Sequence, residues 1–159
     1  MNIVLDGPDN AGKSTLAAAL SRATGYPIKD KEGRPPNHDA LLQKIQFYLT
    51  LDGLIIDRHP VISQSVYGFL RHDQPIPYHL IERFHMQDNL IIYCRCVQRG
   101  LEGHEPSNTD TPDHLEMLQA KQVQILQMYD SLMNEVATIW YRRHEELPRI
   151  VAAVKGVTG

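Results

Sequence analysis

Nine residues, Gly7-Pro8-Asp9-Asn10-Ala11-Gly12-Lys13-Ser14-Thr15, have the types and spacing that bind phosphate. They follow the pattern G-x-x-x-x-G-K-[ST], in which each position has a physical task. Gly7 and Gly12 permit backbone angles and a close approach that a Cβ would block. Successive N–H groups and a helix N-terminus then face the β- and γ-phosphates. Lys13 adds a point charge, and the Ser14 hydroxyl is a ligand for Mg²⁺. An apolar run, Ile3-Val4-Leu5, leads into the loop, and Leu16-Ala17-Ala18-Ala19-Leu20 leads out as a helix. A glycine turn met by chance is the plain alternative, and a strand and a helix on either side argue against it.

A second constellation ends another apolar run, Leu54-Ile55-Ile56-Asp57-Arg58-His59. An acid at a strand end can hold Mg²⁺, directly or through water, or orient an acceptor. Arg58 beside it offers a bidentate fork for an anion. The plain alternative is a capping Asp and a solvated Arg. The chain has no Asn-Lys-x-Asp guanine-reading motif, and 159 residues are too few for a multi-domain motor or an oligomeric ATPase core. A small-molecule kinase is the natural size.

The two motifs together resemble the thymidylate kinase-like P-loop (deoxy)nucleotide kinase family, in a shortened form. That family's loop reads G-x-[DE]-x-x-G-K-[ST]-T, and Gly7–Thr15 fits it with Asp9. Its Asp-Arg-[Tyr/His] motif is followed by Ser and, four residues later, Tyr. Here Asp57-Arg58-His59 leads to Ser63 and Tyr67 after a one-residue insertion, and Tyr129 resembles the tyrosine on the helix after the lid. The resemblance covers most of the chain. It implies ATP and Mg²⁺, with Gly7, Asn10, Ala11, Gly12, Lys13, Ser14 and Thr15 at the ATP phosphates. It also implies Ser14 and Asp57 at the metal, and Lys13, Asp57, Arg58 and Arg99 in catalysis. Asp9 would meet the acceptor sugar, Arg58 its phosphate, and Ser63 and Tyr67 would line its pocket. Arg99 would sit at the lid base, against adenine or the transferring phosphate.

The chain also departs from that pattern. Lys29–Pro36 contains no Arg-Glu-Pro-Gly element, which leaves Arg34 as the acceptor-binding candidate. Gly68 stands where a Gln often follows the tyrosine, and Asn10 where some members carry an Arg. The lid, Gly100–Pro112, has His104 but neither Arg nor Lys, so transition-state charge would fall to Arg95, Arg99 or another mobile cation.

Short apolar runs without in/out alternation are the mark of parallel strands covered on both faces. Ile3–Leu5, Leu54–Ile56, Leu90–Tyr93 and Thr138–Tyr141 read this way, with Tyr26–Ile28 as a weak fifth. Helical spacing fills Lys13–Ala23, Asp39–Leu51, Pro77–Gln87, His114–Val136 and Pro148–Lys155. The expected fold is α/β, a P-loop NTPase three-layer α/β/α with five parallel strands in the order 2-3-1-4-5. One domain over 1–159 is expected, with a lid loop at about 100–112. Ligands in such sheets lie beyond the carboxyl ends of the strands.

Composition bounds the partners. The chain is 42% hydrophobic and 22% charged, with a net charge of −3, so no basic duplex-binding surface is advertised. This speaks against nucleic acid as partner without excluding it. No run suits a membrane span, and no signal peptide is visible. Cys94 and Cys96 share one face of a strand, where a disulfide would distort it, and the eight histidines lack metal-binding spacing. A reduced cytoplasmic protein is expected, with a phage or mobile-element origin suggested by the trimmed size. Dimerisation is common in the resembled family, so a homodimer is left open. Phe47 and Tyr48 are expected in the core rather than stacked on a base, and so are Trp140 and Met133. Arg142 and Arg143 are expected as solvated or capping residues rather than adenine contacts.

Three functions compete. The first is phosphoryl transfer from ATP to a deoxynucleoside monophosphate, whose own oxygen is a competent nucleophile. The second is a deoxynucleoside kinase, or a kinase for another hydroxyl such as that of a modified DNA base. It needs a carboxylate base, for which Asp57, Asp30 and Glu32 are candidates. The third is a nucleotide-binding regulatory protein.

Overall fold

Residues that alternate along a fully buried strand must be met by two different cores. In β1 (Asn2–Asp6) every residue is buried. Ile3 and Leu5 pack on one face with Leu16, Ala17, Leu20, Ile150 and Val154, and Val4 packs on the other with Ile45, Leu80 and Tyr129. The computed structural model describes residues 1–96 and 112–159, with the backbone alone for 112–119. Arg99, His104 and the expected lid over 100–111 lie outside the described residues.

Among the described residues four parallel strands form the sheet: β1, β2 (Ile55–Asp57), β3 (Asn89–Cys94) and β4 (Ile139–Tyr141), in the spatial order β2-β1-β3-β4. Ile3 pairs with Ile55 and with Leu90, which puts β1 at the centre. Helices α1 (Lys13–Thr24) and α6 (Leu147–Thr158) cover one face, while α2 (His38–Tyr48), α3 (Pro60–Ser63), α4 (Tyr78–Met86) and α5 (Pro112–Val136) contribute to the other core. The architecture is α/β with helices on both faces.

One sequence expectation needs correction. Tyr26–Ile28 is not a fifth strand among the described residues. It reaches the sheet through one bridge, Ile28 to Ile55, with the Pro27 carbonyl accepting from the Ile55 N–H at 2.9 Å. Pro27 has no N–H to extend the ladder, so the segment touches the edge without joining it. The short α3 and the π-helical turn after it, Gln64–Gly68, were not expected from periodicity. Proline at the start of α3 and five buried residues in nine hide any helical repeat.

His59 joins β2 to α3. Its side chain is fully buried between Tyr48 and Phe84, with ring centroids 5.5 and 4.5 Å away. Its Nδ1 accepts from the Val61 N–H at 3.2 Å and caps α3, which requires the neutral ring. Burial, then the charge of Lys44, lowers its pKa from 6.5 to about 3. The unfolded chain therefore protonates His59 below pH 6.5, while the folded chain does not until about pH 3. Stability present above pH 6.5 is lost as pH falls, by about 2 kcal/mol between pH 6.5 and 5 from this group alone. Urea midpoints at pH 7 and pH 5 measure it. His59→Asn, which keeps a capping oxygen, should be less stable at pH 7 but show a shallower pH slope. Equal slopes in the two proteins would assign the effect to other groups.

Candidate active site

The phosphate-binding loop hangs between the C-terminal end of β1 and the N-terminus of α1. Its backbone angles are those that glycine makes cheap: φ is 154° at Gly7 and 85° at Gly12. At Gly7 space is the stronger constraint, because an added Cβ would lie 2.0 Å from the Cys94 carbonyl oxygen on β3. Asn10 also has positive φ, at 55°, a conformation that asparagine tolerates best among non-glycine residues. Ala11 is buried, its carbonyl accepting from the Cys96 N–H at 3.3 Å, whereas Ser14 and Thr15 stand exposed on the first turn of α1.

Lys13 is folded back over the loop. Its ammonium donates to the Gly7 carbonyl at 3.3 Å and to the Pro8 carbonyl. Burial, then repulsion from Arg58, lowers its pKa, while Asp6 pulls the other way. A buried cation whose hydrogen bonds among the described residues are to two carbonyls is well suited to an anion that brings more negative charge.

Arg58 follows β2 in the left-handed region at φ 73°, a conformation that costs a residue with a bulky side chain about 1–3 kcal/mol. The Arg58 N–H donates to the Leu5 carbonyl at 2.7 Å, and this turn swings the guanidinium over the loop. There Nη2 pairs with Asp9 at 2.5 Å, and Nη1 reaches the Tyr129 hydroxyl at 3.0 Å and that of Tyr67 at 3.5 Å. Burial works against its charge, and Tyr129, Asp6, Tyr67 and Asp9 more than reverse this, so the guanidinium is firmly protonated.

Asp57 is almost inaccessible, with a side chain 3% exposed. Its Oδ2 pairs with Lys31 at 3.1 Å, and among the described residues its Oδ1 has no hydrogen-bond partner. An orphaned buried carboxylate oxygen is a group that a divalent cation would satisfy. No cluster of three or more His, Cys, Asp or Glu among the described residues could hold a metal by itself.

A cavity of about 280 Å³ opens beside Asp57 and Arg58. Ser63, Tyr67 and Tyr48 line it, together with five cations (Lys31, Arg34, Lys44, Arg58, Arg71) and two carboxylates (Glu32, Asp57). It shares a wall of Arg34, Leu41, Gln64 and Arg71 with a second cavity of about 230 Å³. There Arg71 and Gln64 both hydrogen-bond to Asp73, at 2.9 Å each. The structure thus brings Asp9, Arg58, Ser63, Tyr67, Asp57 and the loop together, and places Arg34 on the wall shared by the two cavities.

Several residues escaped the sequence reading. Asp6 is fully buried at the end of β1, Lys31 pairs with Asp57, and Lys44, Gln64 and Arg71 line the cavities. An acid directly before the first loop glycine was the available signal for Asp6. Nothing in the irregular run 29–37 marks which lysine pairs with Asp57. Phe47 departs from expectation, being 52% exposed, because Leu41, Ile45 and Tyr48 take the inward face of α2 and leave Phe47 outside. Arg95 is bound to Asp130 at 2.7 and 3.0 Å. Arg142 lies over the Trp140 ring, and Arg143 caps the turn His144–Glu146.

No protein-family model matches the chain, and no curated protein matches it. Solved structures do. The YorR protein from Bacillus subtilis, in complex with phosphorylated GDP, superposes with a TM-score of 0.73 at 20% identity, covering 99% of this chain and 95% of that one. A shikimate kinase from Acinetobacter baumannii, in complex with shikimate, gives 0.59 at 15% identity over 98% and 93%. A deoxyadenosine kinase from M. mycoides with bound dATP gives 0.56 at 18% identity over 98% and 100%. At these identities the likeness establishes a shared fold.

Replacing Gly7 by Ala should shift the loop or β3, lowering the melting temperature and abolishing detectable ATP binding. Gly33→Ala, with nothing within 4 Å of the new Cβ, should leave melting unchanged. Differential scanning fluorimetry with and without ATP reads both. Unaltered ATP binding in Gly7→Ala would show that the loop tolerates the missing space.

Proposed function

We propose that this protein transfers the γ-phosphoryl group of ATP to a deoxynucleoside monophosphate. The carrying observation is the charge of the cavity beside the phosphate loop, five cations against two carboxylates. A pocket of that sign, reached by the Arg58 fork, favours an acceptor that is itself an anion. Such an acceptor needs no proton removed before attack, so positioning and charge stabilisation suffice. A fold shared with kinases, one of them a deoxyadenosine kinase with bound dATP, supports a nucleotide ligand.

In this reading the Gly7–Thr15 loop holds the donor phosphates, and Lys13 exchanges its two carbonyl partners for phosphate oxygens. Ser14 and Asp57 hold Mg²⁺, which when bound neutralises charge on those oxygens. Arg58 grips the acceptor phosphate, with Lys31 as the mobile cation next to it. Asp9, Ser63 and Tyr67 orient the sugar, and the second cavity, with Gln64 and Arg71 on the shared wall, takes the base. Arg99 keeps its role at the transferring phosphate.

The free Oδ1 of Asp57 favours a second reading, in which it is the base for a hydroxyl acceptor such as a deoxynucleoside. ADP release with each monophosphate and each free nucleoside separates the two. Turnover is expected with one or two deoxynucleoside monophosphates. Lys13→Ala should lower kcat by about a hundredfold or more. Arg58→Ala should raise the acceptor KM roughly tenfold to a hundredfold. Turnover with nucleosides alone would transfer the assignment to the second reading, and silence with every acceptor would overturn both.

A further inference from the structure

The donor loop and the acceptor arginine meet at one buried carboxylate. Asp6 has no exposure to solvent, and four donors surround it. Its Oδ1 accepts from the Gly7 N–H at 2.9 Å and from the Tyr129 hydroxyl at 2.7 Å. Its Oδ2 accepts from the His59 N–H at 2.9 Å and from the Ser63 hydroxyl at 3.3 Å. Gly7 belongs to the phosphate loop, while His59 and Ser63 belong to the turn and helix that carry the acceptor side. Arg58 Nη1 lies 3.8 Å from Oδ1 and donates to the Tyr129 hydroxyl at 3.0 Å. That hydroxyl has one proton, given to Asp6, and accepts the arginine's, so it has a single arrangement available.

The Tyr129 ring is fixed as well. It stacks on Tyr93 at 5.9 Å and meets Tyr67 edge-on at 6.0 Å. Tyr93 is tied in turn to Asp130 at 2.7 Å, one turn-position along the same helix as Tyr129. Burial raises the pKa of Asp6, while Arg58, the Tyr129 hydroxyl, Lys13 and the Gly7 N–H oppose this. With four donors on two oxygens and no exposure to solvent, the Asp6 carboxylate is committed to these contacts.

We infer that Asp6 and Tyr129 are positioning residues, which lock the Arg58 guanidinium in fixed geometry against the phosphate-binding loop. The acceptor anion and the donor phosphates are thereby aligned before either binds. The kinetic consequence rests on the kinase reading; the rigidity of Arg58 does not.

Tyr129→Phe keeps the ring contacts and removes the hydroxyl alone. The acceptor KM should rise about tenfold while the ATP KM stays within about twofold. In ¹⁵N-arginine spectra of the whole protein, the wild type should show separate, slowly exchanging Nη signals for Arg58, assigned by their loss in Arg58→Lys. Tyr129→Phe should average them. Asp6→Asn, which turns an amide NH₂ toward two donors, should raise both KM values, and if it does not fold Tyr129→Phe still carries the test. Arg58 signals unchanged by Tyr129→Phe would overturn the inference, as would a wild-type guanidinium that already rotates freely. If the wild type phosphorylates no acceptor, the kinase reading fails and the spectra still decide this point.

Discussion

A carboxylate sealed from water must be met by donors on every side, and the rest of this site is arranged around that demand. Asp6 ends the central strand, where parallel neighbours leave no room for solvent. Its requirement is satisfied by the amide of Gly7, the amide of His59, and the hydroxyls of Ser63 and Tyr129. Those groups come from the loop after β1, the turn after β2, α3 and α5. One buried charge thus ties the loop after β1 to two stretches far from it in sequence, residues 59–63 and Tyr129, because leaving any lone pair unmet in a dry interior costs several kcal/mol. The left-handed backbone of Arg58 is tolerated in the same setting, since the amide on either side of its side chain is already committed.

Much of this was legible in the residues. The loop motif, the four short apolar strands and their alternation with helices follow from local pattern, and the strands differ from expectation by a residue or so at each end. Asp9, Arg58, Ser63 and Tyr67 were readable because their spacing resembles a known family, and the structure brings them within reach of one another. What could not be read are contacts between segments remote in sequence. Asp6 looks like any polar residue after an apolar strand until its burial is known. Lys31 and Lys44 carry no mark that separates them from solvated lysines. Tyr26–Ile28 failed as a strand because a single missing N–H decides between a ladder and a touch.

Charge is distributed unevenly across the molecule, and the average conceals it. The chain as a whole is mildly acidic, at −3, yet the cavity beside Asp57 and Arg58 is lined by five cations and two carboxylates. Some are held by carboxylates, as Lys31 by Asp57 and Arg71 by Asp73. Net composition therefore spoke to the outer surface and was silent about the crevice.

The sheet narrows toward its margins, with three residues in each of β2 and β4 against five and six in β1 and β3. A margin that short exposes too few unpaired amides and carbonyls to template a foreign strand. On the β2 side, Ile28 and the Lys29 amide already occupy Ile55. So apolar a sheet thus offers little open edge to a foreign strand, and the proline that denies it a fifth strand keeps that edge short.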